Sequence, residues 1–339
     1  MRSACSALAL PALFLLAGRA AAQPPPATDS AIRELEVAGT AEGAESRGAA
    51  PRIVGWTRVT DRPHYDNQPF FLDERTLLYT ALGGLTDPKG DAEPVATELV
   101  AYDLESGERT LLVGTPESEY SPLARPASPD APEVREISFV RDYGDLRQEL
   151  WSASLQADGS AAPQRSLFPQ INPIGYHVWV DHHSALLFVL GEPATLQLAA
   201  VGGAGRILAE APGRALASIP GSDRFSFVDK GAATPGDTAA GGQPEDPAPS
   251  GWWLRSVVPS AADPSATVRQ VIEMPVGVED YAWRPGGELW AASGGELLRA
   301  DLGRGEWRPV LDLRDRGVGG ITRLAFSPSG RQLAIVFER

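Results

Sequence analysis

ITRLAFSPSGRQLAIVF, from Ile321 to Phe337, reads as two short strands around a tight turn. The first strand ends on the apolar anchor Phe326, and the second resumes at Leu333. Between them stand Ser327-Pro328-Ser329-Gly330. Proline presets φ for a turn, glycine takes positive φ without strain, and serine hydroxyls bond nearby backbone groups. Apolar runs flanking such a cluster are the sequence form of a β-hairpin.

The hairpin recurs. Copies begin at Tyr65 (YDNQPFFLDERTLLYTA), Gly175 (GYHVWVDHHSALLFVL), Arg214 (RALASIPGSDRFSFVD) and Glu279 (EDYAWRPGGELWAAS). A looser copy with a longer turn begins at Glu119. Phe70, Trp179, Ile219 and Trp283 take the place of Phe326. Two further strands follow most copies, for example Glu98–Leu104 with Glu108–Val113 and Glu296–Asp301 with Trp307–Leu311. The unit is therefore four strands, recurring about every 40 to 65 residues. A lone four-stranded sheet cannot cover both its faces, and radial packing of several sheets solves this. The repeat predicts an all-β fold, a six-bladed β-propeller. The last copy has only two strands before Arg339, while Ala31–Val37 and Ile53–Thr60 are left over near the N-terminus. These N-terminal strands are expected to pair with the C-terminal blade and close the ring, hiding sheet edges that invite aggregation. An open β-sandwich with a second domain is the alternative.

The chain has 339 residues. Residues 1–22 have the grammar of a secretory signal peptide: Arg2, an apolar stretch from Ala4 to Ala17, then small residues at Ala20-Ala21-Ala22. Pro11, Gly18 and Arg19 cut the stretch short of the roughly 20 apolar residues a membrane span needs. Removal of the signal would take the single cysteine, Cys5, and with it any disulfide or thiolate chemistry. Arg2 and Arg19 would leave too, reducing 30 basic residues to 28 against 44 acidic ones, a net charge of −16. Such a chain repels phosphate backbones, so no nucleic-acid partner is expected. No membrane span is expected once the signal is cleaved. Residues 23–29 read as a flexible start, residues 30–339 as one propeller domain, and residues 230–251, rich in Gly, Pro and Ala, as a disordered loop insertion.

Three motifs carry a resemblance. YDNQPFFLDERTLLYTA, AYDLESGERTLL from Ala101 and LAFSPSGRQLAIVF from Leu324 are similar to repeats of the TolB-like six-bladed propeller family. Pro69, Pro122 and the Ser327–Gly330 turn match the family pattern, whereas the copies at 175, 214 and 279 match only in outline. The resemblance implies a periplasmic or secreted protein that binds a protein or peptide partner in the cell envelope. Similar propellers also cap prolyl-peptidase enzymes.

The chain lacks a G-x-S-x-G elbow, an H-E-x-x-H helix, a P-loop and a calcium loop, so no catalytic residue, cofactor or metal is assigned. Asp181-His182-His183 aligns with the turn Pro328-Ser329-Gly330 and reads as a solvated turn rather than a metal site. His177, two residues before Trp179 on the innermost strand, keeps a functional case. In a four-stranded meander the inner strands start on the rim that also carries the second-to-third connections. That rim gathers Tyr65, Asp66, Asn67, Glu119, Tyr120, Tyr176, His177, Glu279, Asp280 and Arg323, together with the long connections at 82–97, 142–148 and 229–251. Loops and strand ends on a rigid scaffold are where binding residues concentrate. The expected role is a non-catalytic binding propeller. The competing expectation is a channel-mouth hydrolase or lyase using Asp66, Glu119, His177, Glu279 or Asp280, with or without a divalent metal. A purely scaffolding role in the envelope is a third.

Overall fold

The computed structural model describes residues 30–38, 51–83, 85, 96–156, 159–231 and 251–338. The signal peptide, the flexible start and most of the 230–251 insertion therefore lie outside the described residues. Strands β1 (Ser30–Ala38) and β2 (Arg52–Arg58) come first. Blade 1 holds β3 (Asp66–Phe71), β4 (Thr76–Leu82), β5 (Thr97–Asp103) and β6 (Arg109–Val113). Blade 2 holds β7 (Ser118–Arg125), β8 (Glu136–Asp142), β9 (Gln148–Leu155) and β10 (Ala161–Ser166). Blade 3 holds β11 (Ile174–Trp179), β12 (Ser184–Val189), β13 (Thr195–Ala200) and β14 (Arg206–Glu210). Blade 4 holds β15 (Pro212–Ser218), β16 (Phe225–Asp229), β17 (Trp253–Val257) and β18 (Arg269–Glu273). Blade 5 holds β19 (Tyr281–Arg284), β20 (Glu288–Ser293), β21 (Glu296–Asp301) and β22 (Glu306–Asp312). The sixth is composite: β23 (Gly319–Phe326) and β24 (Gln332–Glu338) are followed outward by β1 and β2. The fold is the expected six-bladed β-propeller, closed by N-terminal strands on the C-terminal blade.

The strand expected over Ile53–Thr60 runs Arg52–Arg58. Strand β10 ends at Ser166, because Leu167 and Phe168 leave the sheet to fill the core between blades 2 and 3. Strand β18 starts at Arg269 because Ser265–Thr267 forms a single 3₁₀ turn.

The second strand of each blade explains the packing. Strands β4, β8, β12, β16, β20 and β24 are buried on both faces, as strands sandwiched between sheets must be. In β4, Leu77 and Tyr79 face the core shared with the composite blade, while Leu78 faces the core shared with blade 2. Six apolar clusters result, one at each junction between neighbouring blades. The fourth strands β14, β18 and β22 carry the most exposed residues, while β6 buries Leu112 and Val113. Turn aspartates explain the polar half of the repeat. Asp73 accepts the amides of Arg75 and Thr76, and Asp181 accepts those of His183 and Ser184, at 2.7–3.0 Å.

At two junctions a serine accepts an inward tryptophan N–H, whereas Trp290 Nε1 at the junction of blades 5 and 6 is buried without a partner among the described residues. Ser138 on β8 accepts Trp179 Nε1 of blade 3 at 2.7 Å, and its Oγ lies 2.7 Å from His177 Nε2. Ser226 on β16 accepts Trp283 Nε1 at 2.8 Å and the Tyr281 hydroxyl at 3.0 Å of blade 5. Where the next blade brings phenylalanine instead, Trp290 fills the same place and meets Phe326 edge-on at 5.5 Å. Ser138→Ala is expected to cost about 1–3 kcal/mol, because it strands a buried indole N–H in a dry interface. Urea unfolding at neutral pH measures this, and an unchanged midpoint would refute the role given to the hydroxyl.

Candidate functional site

The inner strands β3, β7, β11, β15 and β23 all carry irregular register near their starts. A bulge re-aims the side chains beside it, and here it turns strand-start residues toward the propeller axis. On β3 and β7 the bulge residues are Gln68 and Ser121, each at φ 55° and each followed by proline. Gln68 Oε1 accepts the Ser121 amide and the Thr80 hydroxyl, both at 2.8 Å, tying blades 1 and 2 together. On β15 the irregularity follows Pro212-Gly213. A Cβ on Gly213 would stand 2.8 Å from the Val228 Cβ and 3.1 Å from the Glu279 Cγ, so only glycine allows this approach. The result swings Arg214 into the channel.

Two cavities meet at the axis. The inner one, about 150 Å³, is bordered by residues of all six blades, among them Gln68, Ser121, Tyr176, Arg214, Asp280 and Arg323. The outer one, about 320 Å³, lies between blades 5 and 6 and shares Arg214, Asp280 and Arg323 with it. Arg323 is the hub. It donates to Asp280 Oδ2 at 2.7 Å and to the Tyr176 hydroxyl at 3.1 Å, and its guanidinium lies 5.6 Å from the Tyr176 ring centre. Burial pushes the Asp280 carboxyl up, against the pull of Arg323 and Arg214. Burial likewise raises the Tyr65 phenol, reinforced by Tyr176 and opposed by Arg323. Tyr65, Tyr120, Tyr176, Arg214 and Arg323 therefore sit within one electrostatic neighbourhood.

Of the other residues expected on this rim, Glu279 borders the outer cavity, while Asp66, Asn67 and Glu119 are buried against neighbours. Asp66 is fully buried and takes a forked pair from Arg62 at 2.6 and 3.1 Å. Asn67 is buried, its Oδ1 accepting the Gln68 amide at 2.7 Å. Glu119, also fully buried, accepts Thr115 Oγ1 at 2.5 Å and faces Arg141 at 3.3 Å; burial raises its carboxyl. Glu279 accepts the Arg214 amide at 2.6 Å and Lys230 Nζ at 2.9 Å; burial pushes its carboxyl up, but these partners outweigh it and hold it low.

His177 borders the inner cavity, yet its ring turns sideways into the junction with blade 2. It stands edge-on to Trp179 at 6.2 Å, Nδ1 is buried without a partner, and burial drops its pKa to about 3. Placing His177 and Trp179 on one face of the strand holds; that face is the blade junction rather than the channel. His182 and His183 sit in the hairpin turn. Among the described residues, no three His, Cys, Asp or Glu side chains gather as a metal site. Nor is any described helix long and apolar enough to cross a membrane. Sequence reading missed Arg214, for which the Pro212-Gly213 pair was the available signal; Gln68 and Ser121, equivalent to His177 in the repeat, border the inner cavity with it.

Fold and site together define a six-bladed propeller whose axial cavities are bordered by Tyr176, Arg214, Asp280 and Arg323. No family model matches the chain, and no curated protein matches it. Among solved structures it is similar to a protein assigned as TolB from Agrobacterium tumefaciens, with TM-score 0.58 and 13% identity over 92% of this chain and 99% of that one. It is also similar to a gluconolactonase from Xanthomonas campestris, with TM-score 0.53 and 12% identity over 92% of this chain and 96% of that one. At such identities the likeness is one of fold, and function has to be argued from the site.

Proposed function

We propose that this chain is an exported, non-catalytic propeller of TolB-like type that binds a protein or peptide partner across its channel mouth and the surrounding rim. The observation that carries the reading is the composition of the mouth. Tyr65, Tyr120 and Tyr176 cluster around Arg214 and Arg323, and tyrosine and arginine are the residues that most often anchor protein interfaces. The residues available for acid–base chemistry are committed. His177 is buried and neutral against Ser138, while Asp66, Glu119, Glu279 and Asp280 each answer a cation. A general base has to reach a substrate proton with its pKa near the working pH; of the five only Asp280 both borders the cavities and is raised by burial, and Arg323 holds it in an ion pair. The hydrolase or lyase reading therefore has less support. Export rests on the composition of residues 1–22, and the envelope is where the partner is sought.

Affinity capture from an envelope fraction, followed by titration of the purified captured protein, tests this. A Tyr120→Ala/Tyr176→Ala double variant is expected to bind at least tenfold more weakly, on the scale of lost hot-spot residues. Equal affinity for wild type and variant would overturn the reading.

A further inference from the structure

We propose that the cavity between blades 5 and 6 receives a carboxylate carried on a small apolar stem, with Arg214 as its receptor. This rests on the reading of the channel mouth as the binding face. The two arginines there differ in commitment. Arg323 is paired with Asp280 and bonded to Tyr176. Arg214 uses its backbone amide on Glu279, but among the described residues its guanidinium has no hydrogen-bond or ion-pair partner, and Nε is buried. A second orphan stands in the same wall: Thr322 Oγ1 is buried without a partner. Buried polar atoms are paired in nearly all native structures, so two orphans in one cavity point to a ligand that satisfies both.

The chemistry of that ligand follows from the lining. A free guanidinium offers a planar fork that matches a carboxylate, and a threonine hydroxyl adds a single donor. Glu279 and Asp280 both attract Arg214, but neither makes an ion pair with its guanidinium, Glu279 being bonded to Lys230 and Asp280 to Arg323. The rest of the wall is mixed: Glu279, Asp280 and Ser293 are polar, while Val276, Val278, Ala292 and Ile321 supply one small apolar face. That suits a branched aliphatic stem and offers a phosphate too few donors. At about 320 Å³ the outer cavity has room for such a group. One carboxylate chemistry has two sources, the C-terminus of a peptide and a free short-chain acid.

Calorimetric titration of the full chain with four probes separates them: isovalerate, isovaleramide, acetyl-Ala-Ala-Val with a free C-terminus, and its C-terminal amide. The expected result is binding of one or both acids and at least tenfold weaker binding of the matching amides. Binding of the peptide acid alone assigns the site to a C-terminus, and binding of isovalerate as well assigns it to any acid of that shape. Arg214→Gln should weaken the acid about tenfold to a hundredfold, while Arg206→Gln on the outer strand leaves it unchanged. Thr322→Val keeps the shape of the wall and should weaken binding several-fold, which keeps the test valid if Arg214→Gln fails to fold. No binding of either acid, equal binding of acids and amides, or full affinity in both variants would overturn the proposal. Loss of carboxylate binding with tyrosine-dependent partner binding retained would sink this inference alone.

Discussion

A chain shortened to begin at Asp61 is expected to lose its cooperative melting transition and to elute as aggregate. Strand β1 lies between β24 and β2, paired with β24 from Ser30↔Glu338 to Glu36↔Gln332. Its removal exposes the full hydrogen-bonding edge of β24, a template for pairing with another chain. It also opens two cores at once. Leu35 and Val37 belong to the cluster shared with blade 5, and Ile32 to the cluster shared with blade 1. Ile32 and Leu35 are fully buried, and truncating either to alanine should cost about 2–5 kcal/mol. Losing both strands outright exceeds the roughly 5–15 kcal/mol by which domains are stable. Ile32→Ala and Leu35→Ala should lower the melting temperature in graded steps toward this limit. Residues 28–60 added as a separate peptide should restore part of the transition. A soluble monomer with an unchanged melting temperature would refute ring closure by these strands.

The closing strands were legible because the count of hairpins left two strands over, and propeller geometry leaves one place for them. The blades were legible for a related reason. Second strands buried on both faces must be continuous apolar runs, and turns must hold Asp, Ser, Pro or Gly, so each unit repeats a pattern that radial packing demands. The site was less legible. Counting residues back from each apolar anchor assumes regular strands, and bulges break that count. Tyr176, Asp280 and Arg323 were found because each stands at or near the expected start of an inner strand, where side chains border the axis. Arg214 was missed because a proline, a glycine and a register shift displace it. Asp66 and Glu119 were placed at the right strand ends, but partners distant in the alphabet of motifs, Arg62 and Arg141, draw them inward. No spacing rule carries that information, since it depends on which neighbour the side chain meets.

His177 supplies the second large effect, a loss of stability in acid that its replacement removes. The ring is buried between Ser138 and Trp179, and burial alone holds its pKa near about 3 against an ordinary 6.5. Protonation would place a charge in an interface with no anion to answer it. The unfolded chain takes up a proton below about pH 6.5, while the folded chain resists until about pH 3. Stability from this group is therefore complete above pH 6.5 and is lost as pH falls toward 3, by about 1.4 kcal/mol per unit. Between pH 7.5 and pH 4.5 the wild type should lose about 3 kcal/mol more than His177→Gln, which keeps a neutral polar group beside Ser138. Asp280 and Glu119, raised by burial, act with the opposite sign, but both proteins carry them and their contribution cancels in the difference. Guanidinium unfolding curves at the two pH values measure it, the slope with pH rather than the absolute midpoint being decisive. Parallel losses in the two proteins would mean that water or an anion reaches the imidazole. The ring would then belong to the channel after all, and the assignment of His177 to the blade junction would fall.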